Sequence, residues 1–128
     1  MTRATLLIVD QDGQRLANMY IHGDGYPQKP GLAWRIRQFF EAENRQKLQQ
    51  KRPVFITGLF NEMGCLAAQI VGWIKDDHNG MYYLRPINDN QEEEYNYVLY
   101  NKSDDRNVIY LKCSISTDIL FDKVIYSP

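Results

Sequence analysis

Cysteine is scarce in this chain: only Cys65 and Cys113 occur among 128 residues. Two thiols do not make a disulfide scaffold, and no second pair offers metal-ligand spacing. Two reduced thiols are the expectation. Long apolar runs are missing too. None approaches the roughly 18 residues that read as a helical membrane span, so no membrane partner is expected. The start of the chain carries a short apolar run, Leu6-Leu7-Ile8-Val9, closed at once by Asp10. That suits a strand and not a secretory signal, so a cytoplasmic protein is expected.

Net charge is nearly absent. Fifteen Lys and Arg face sixteen Asp and Glu, a formal charge of -1, so no global field draws in nucleic acid or an anionic membrane. The common catalytic signatures are lacking as well. There is no glycine-rich phosphate loop with its lysine, no Gly-x-Gly-x-x-Gly, no Gly-x-Ser-x-Gly and no His-Glu-x-x-His. Nothing here implies a cofactor or a resident metal.

What is present is ordinary globular composition. A hydrophobic share of 44% is enough for a real core, and the length suits one domain over residues 1–128. Residues 4–10 and 15–22 read as strands joined through Asp12-Gly13, a strong hairpin signal because both residues tolerate positive φ. Asp10 and Asp12 bracket that turn and read as turn residues, since two carboxylates alone are too few oxygens for most cations. Residues 23–31 form a glycine- and proline-rich loop. A helix follows from about Pro30, with Leu32, Ile36, Phe39, Phe40 and Glu43 at helical spacing. A short extended segment is expected over 53–58.

The clearest element is a helix over about 61–75. Met63, Leu66, Ala67, Ile70, Val71 and Ile74 fall on one stripe, with Asn61 as N-cap and His78-Asn79-Gly80 as the stop. Its other face carries Gly64, Ala68 and Gly72. Interior glycines cost a helix about 1 kcal/mol each relative to alanine, so close approach of another element is inferred there. The first helix is the favoured cover and a second copy of the protein the alternative. Strand-like runs at 81–86, 94–100, 107–113 and 119–126, with short breaks between them, predict an antiparallel meander. The expected fold is α+β: a two-layer sandwich of order β-β-α-α-β-β-β-β, mostly antiparallel, with two helices on one face.

Chemistry concentrates in residues 20–27. Histidine is the side chain whose ordinary pKa lies near neutrality, so His22 has the makings of a general base, with Asp24 to orient it. The plainer reading ends a strand at His22 and caps a tight turn with Asp24, leaving His22, Asp24, Gly25, Tyr26 and Pro27 as a shaped recognition loop. Cys65 sits near a helix N-terminus, which favours thiolate. The small-residue face around it argues for burial instead. Alternation places Tyr95 and Tyr97 on one sheet face and Tyr100 on the other. Tyr95 and Tyr97 join the loop as candidate contact residues, because tyrosine pairs a large apolar body with a polar tip. The acidic run 91–94 reads as a charged strand edge that discourages pairing.

Two segments carry a resemblance. Thr2-Arg3, the Asp-Gly hairpin and Tyr20-x-His22-x-Asp24-Gly25-Tyr26-Pro27 form the first. Asn61-Glu62-Met63-Gly64-Cys65-Leu66-Ala67-Ala68-Gln69 forms the second. Together with Gly80-Met81-Tyr82-Tyr83-Leu84 and Glu93-Glu94-Tyr95-Asn96-Tyr97, they resemble a family of small uncharacterised phage, prophage and bacterial proteins. Gly23 stands where that family has tryptophan, and Glu62 where it has glycine. The family has no established biochemical activity. The resemblance implies the same fold, the same site location and an accessory role.

Three functions are weighed. The preferred one is a non-enzymatic binding or regulatory module whose partner is another protein or a second copy. A small hydrolase or transferase would use His22 and Asp24, with or without Cys65. A nucleic-acid-directed protein would use the basic first helix and its tail, Arg35, Arg37, Arg45, Lys47, Lys51 and Arg52.

Overall fold

The first hairpin forms as its alternation and turn dictate. In the computed structural model, which describes residues 2–41, 60–77 and 81–128, β1 (Ala4–Val9) and β2 (Arg15–Ile21) pair antiparallel. Ala4, Leu6 and Ile8 lie opposite Ile21, Met19 and Ala17, and all six are buried. Asp10 ties the turn: its Oδ1 accepts the amides of Asp12 and Gln14, both at 2.9 Å. Gly13 takes the left-handed conformation, φ 79°.

Two helices cover one face of the sheet, α1 (Leu32–Phe39) and α2 (Met63–Asp77). Leu32, Ala33, Ile36 and Phe39 of α1 join the core, as do Met63, Leu66, Ala67, Ile70 and Ile74 of α2. The helices meet edge-to-face at Phe39 and Trp73, ring centroids 5.7 Å apart. Glu43, the expected strand at 53–58 and the expected stop at 78–80 lie outside the described residues.

The sheet has six strands in the order β3-β2-β1-β4-β5-β6, with β3 (Tyr82–Leu84), β4 (Tyr95–Lys102), β5 (Asp105–Ile115) and β6 (Asp118–Tyr126). The α+β two-layer reading holds. The four-strand meander needs correction. Only β4, β5 and β6 form one, and β3 pairs with β2 on the opposite flank. The reason is proximity. The last turn of α2 comes down beside β2, where Lys75 Nζ donates to the Tyr82 carbonyl at 2.9 Å, so the chain joins the nearest edge. It then returns through residues 85–94 to enter β4, which lies parallel to β1.

That return crosses the face the helices leave bare. Asn18, buried beneath it, donates through Nδ2 to the carbonyls of Pro86 and Asp89, both at 2.9 Å. Arg15 reaches the Ile87 carbonyl at 3.1 Å and Asn90 Oδ1 at 2.6 Å. These bonds fasten the loop's carbonyls to β2 and satisfy the buried Asn18 amide.

Candidate functional site

The loop after β2 closes one end of the core. The His22 amide donates to the Met81 carbonyl at 2.9 Å and the Gly25 amide to Thr2 at 3.0 Å. A Cβ on Gly25 would lie 2.6 Å from the Ala4 Cβ, so only glycine fits. Tyr97 donates its hydroxyl to the Gly25 carbonyl at 2.7 Å from inside the core. Tyr97 is 0% exposed, which corrects its expected place on a contact surface. Burial pushes its phenol pKa well above the ordinary range, and Cys113 adds to the shift. Gly25 is buried as well, so it shapes the loop and presents nothing outward. Tyr95 is half-buried on the same face as Tyr97, at the rim of the core.

His22 and Asp24 are neighbours in sequence with different partners. His22 Nδ1 shares a 2.9 Å hydrogen bond with the Tyr20 hydroxyl. Asp24 sits at φ 58° and accepts the Tyr26 hydroxyl at 3.4 Å. Tyr26 and Pro27 are half-buried against the loop. An acid–base dyad would need the two side chains turned toward each other. Cys65 is further away. It lies in the first turn of α2, ten residues before Lys75, the residue that meets Tyr82 beside β2. At about 1.5 Å per residue the helix rises roughly 15 Å between them. The Cys65–His22 pair required for nucleophilic catalysis is therefore not assembled. Cys113 is buried, and burial raises its pKa, offset in part by the neighbouring Tyr97 hydroxyl.

The small-residue face of α2 also needs correction. Gly64, Ala68 and Gly72 are exposed, and a Cβ on either glycine would meet nothing within 4 Å. α1 packs against the Trp73 flank instead. The stripe forms one wall of an apolar groove of about 620 Å³, with Leu84 and Ile87 opposite.

The basic residues of α1 turn inward where they are described. Arg35 is buried and donates through Nε to the Pro30 carbonyl at 2.7 Å. Arg37 lies over the Phe121 ring, 5.8 Å from its centroid. Arg45, Lys47, Lys51 and Arg52 lie outside the described residues.

The densest surface chemistry is on the bare face of the sheet. Tyr20 stacks on Tyr83 across the β2–β3 pair, centroids 6.0 Å apart. The Arg85 guanidinium lies 4.6 Å from the Tyr20 centroid and is ion-paired with Glu93 at 2.9 Å. Lys75 Nζ stands 5.6 Å from the Tyr83 ring. A second pair, Tyr100 and Tyr110, stacks at 5.2 Å with Lys102 Nζ 4.3 Å above Tyr110. Tyr100 donates to Asp122 at 2.5 Å; partial burial, then Asp122, raises its pKa. Beside the return loop lies a depression of about 250 Å³, lined by Asp89 and Glu92 of the loop and by Thr5, Leu7, Val98 and Lys112 of the sheet.

Alternation alone finds Tyr100 and Tyr110. The Tyr20–Tyr83 pair depends on β3 joining β2, which no local signal announces. Among the described residues no helix is long and apolar enough to cross a membrane, and no group of three or more His, Cys, Asp or Glu is placed to hold a metal ion. No family model, curated protein or solved structure matches the chain.

Proposed function

We propose that this chain is a non-enzymatic binding or regulatory module, and that it recognises a protein partner through the bare face of its sheet. One observation carries the reading. Among the described residues no helix covers this face, and it holds two stacked tyrosine pairs, each with a cation over a ring. Tyrosines with fixed rings lose little side-chain entropy on contact and offer both apolar area and a hydroxyl. His22 belongs to this surface through its bond to Tyr20, whereas Gly25 and Tyr97 support it from within. The length of α2 between Cys65 and the end of the fold that holds His22, and the different partners of His22 and Asp24, favour recognition over catalysis.

The test is capture of partner protein on immobilised chain, beside sedimentation of the chain alone. Tyr83→Ala and Tyr110→Ala should each weaken capture about tenfold, a loss of about 1.4 kcal/mol, while the far-UV spectrum stays the same. Ala68→Glu, in the groove on the other side of β2, should leave it unchanged. If Ala68→Glu abolishes capture and the tyrosine variants do not, the contact surface lies in the groove. If neither a partner nor self-association tighter than millimolar is found, the reading fails.

A further inference from the structure

The sheet ends differently on its two sides. At one edge β3 presents three residues; at the other β6 presents nine, and among the described residues no strand pairs with its outer side. An edge strand leaves a row of backbone donors and acceptors without partners, and what satisfies them together is a second extended strand. This edge is apolar as well. Ile119, Leu120 and Val124 are exposed, as is Ile115 beside them where β5 ends, and Ile119 reaches 61%. Natural sheets keep a long edge free of exposed aliphatic side chains unless the edge is used.

The charges of β6 say which strand fits. Asp118, Phe121 and Lys123 lie opposite Ile115, Cys113 and Leu111 of β5, on the helix side of the sheet. Ile119, Asp122 and Val124 lie opposite Ser114, Lys112 and Tyr110, on the bare side. Leu120 and Ile125 are the extra residues of two register shifts. Lys123 Nζ stands 5.2 Å from the Phe121 centroid and the Arg37 guanidinium 5.8 Å from it, so two cations flank one ring. Asp118 and Lys123 are exposed, and neither has an ion pair with a described residue. A two-fold axis normal to the sheet keeps every residue on its own face, so two antiparallel copies of β6 meet only with like-faced residues opposite. Centring the pair on Asp122 or Lys123 sets like charges against each other, which is unfavourable. Centring it on Ile119 or Val124 pairs no charges. Centring it on Phe121 sets Asp118 opposite the partner's Lys123 and Lys123 opposite the partner's Asp118, with Ile119 diagonal to the partner's Val124. A lysine on an edge ordinarily discourages pairing, but in this register it is matched.

We propose that two copies of this chain join β6 to β6, antiparallel about a two-fold axis at Phe121, in one continuous sheet whose free edges are the two short β3 strands. The contact uses the edge of the sheet, whereas the function proposed above uses its bare face, so the two fail separately. The experiment is sedimentation equilibrium of the full chain, which should show a dimer. Asp118→Lys and Lys123→Asp should each weaken it about tenfold, because each turns both cross-strand pairs from attractive to repulsive. The double variant carrying both changes should restore it, which a general loss of folding would not allow. Tyr83→Ala, at the opposite edge, should leave the dimer intact. A chain that stays monomeric up to about 1 mM overturns the proposal. So does a dimer that resists both single variants, or one that the double variant fails to restore. A dimer lost in Tyr83→Ala and kept in Lys123→Asp is held by the tyrosine face, and overturns it equally.

Discussion

The two faces of this sheet come from the same strands and have opposite characters. On the covered face β1, β2, β4 and β5 contribute Leu6, Met19, Leu99 and Leu111, all sealed under the helices. On the other face the residues one step along are Leu7, Asn18 or Tyr20, Tyr100, and Tyr110 or Lys112. Tyr20 stacks on Tyr83, Tyr100 on Tyr110, and Asn18 bonds the return loop. The covered face is held by burial of apolar area, the bare one by rings, amides and cations. Identical backbone pairing thus supports a core on one side and a surface on the other.

Leu6 and Leu7 make the sharpest contrast, being adjacent in sequence with side chains on opposite faces. Leu6→Ala should destabilise by about 2–5 kcal/mol, and Leu7→Ala by about 1 kcal/mol or less. Urea denaturation of the two variants checks this, and equal losses would erase the distinction drawn between the faces. Tyr97 and Tyr100 give the next largest difference. Tyr97→Phe leaves the Gly25 carbonyl without its buried donor and should cost about 1–3 kcal/mol. Tyr100→Phe, on a half-exposed ring, should cost about 0.5 kcal/mol.

The same tyrosines predict a pH response. Tyr97 and Tyr100 both have phenol pKa values raised in the folded chain. Above the unfolded value of about 10 the folded chain holds protons that the unfolded chain has released, so stability falls as pH rises. Below that value the contribution is complete. Denaturation midpoints should therefore be level up to about pH 9 and drop beyond it, more gently in Tyr97→Phe. The smallest expected effect has the opposite sign. Gly72→Ala places a methyl in open space on α2 and should raise stability by about 1 kcal/mol. A loss instead, measured by thermal melting of the isolated chain, would mean that something already covers that face.

The elements legible in the sequence are those fixed by local chemistry. Asp12-Gly13 gives the hairpin because the turn needs residues that tolerate positive φ. The stripe from Met63 to Ile74 gives α2 because its apolar residues recur at helical spacing. Alternation correctly divides Tyr95 and Tyr97 from Tyr100. It does not say which face the helices cover, so Tyr97 reads as a contact residue although its partner across β1 is Leu6. The pairing of β3 with β2, and with it the Tyr20–Tyr83 stack, depends on where α2 ends in space. Gly64, Ala68 and Gly72 misled in another way. A helix face without charge suggests cover, but among the described residues no element packs on it.

The parallel seam between β1 and β4 has a further consequence. Thr5 and Asn96, bonded side chain to side chain across it, are 91 positions apart. Each flanking hairpin closes over a few residues and can zip first, whereas the seam must wait for a long loop to close. Folding should therefore end with two preformed halves docking, and a protease cut among residues 87–91 would sever the covalent link between them while leaving both hairpins whole. The two fragments should still find each other, with the ladder from Ala4 to Val9 as the template for their reunion.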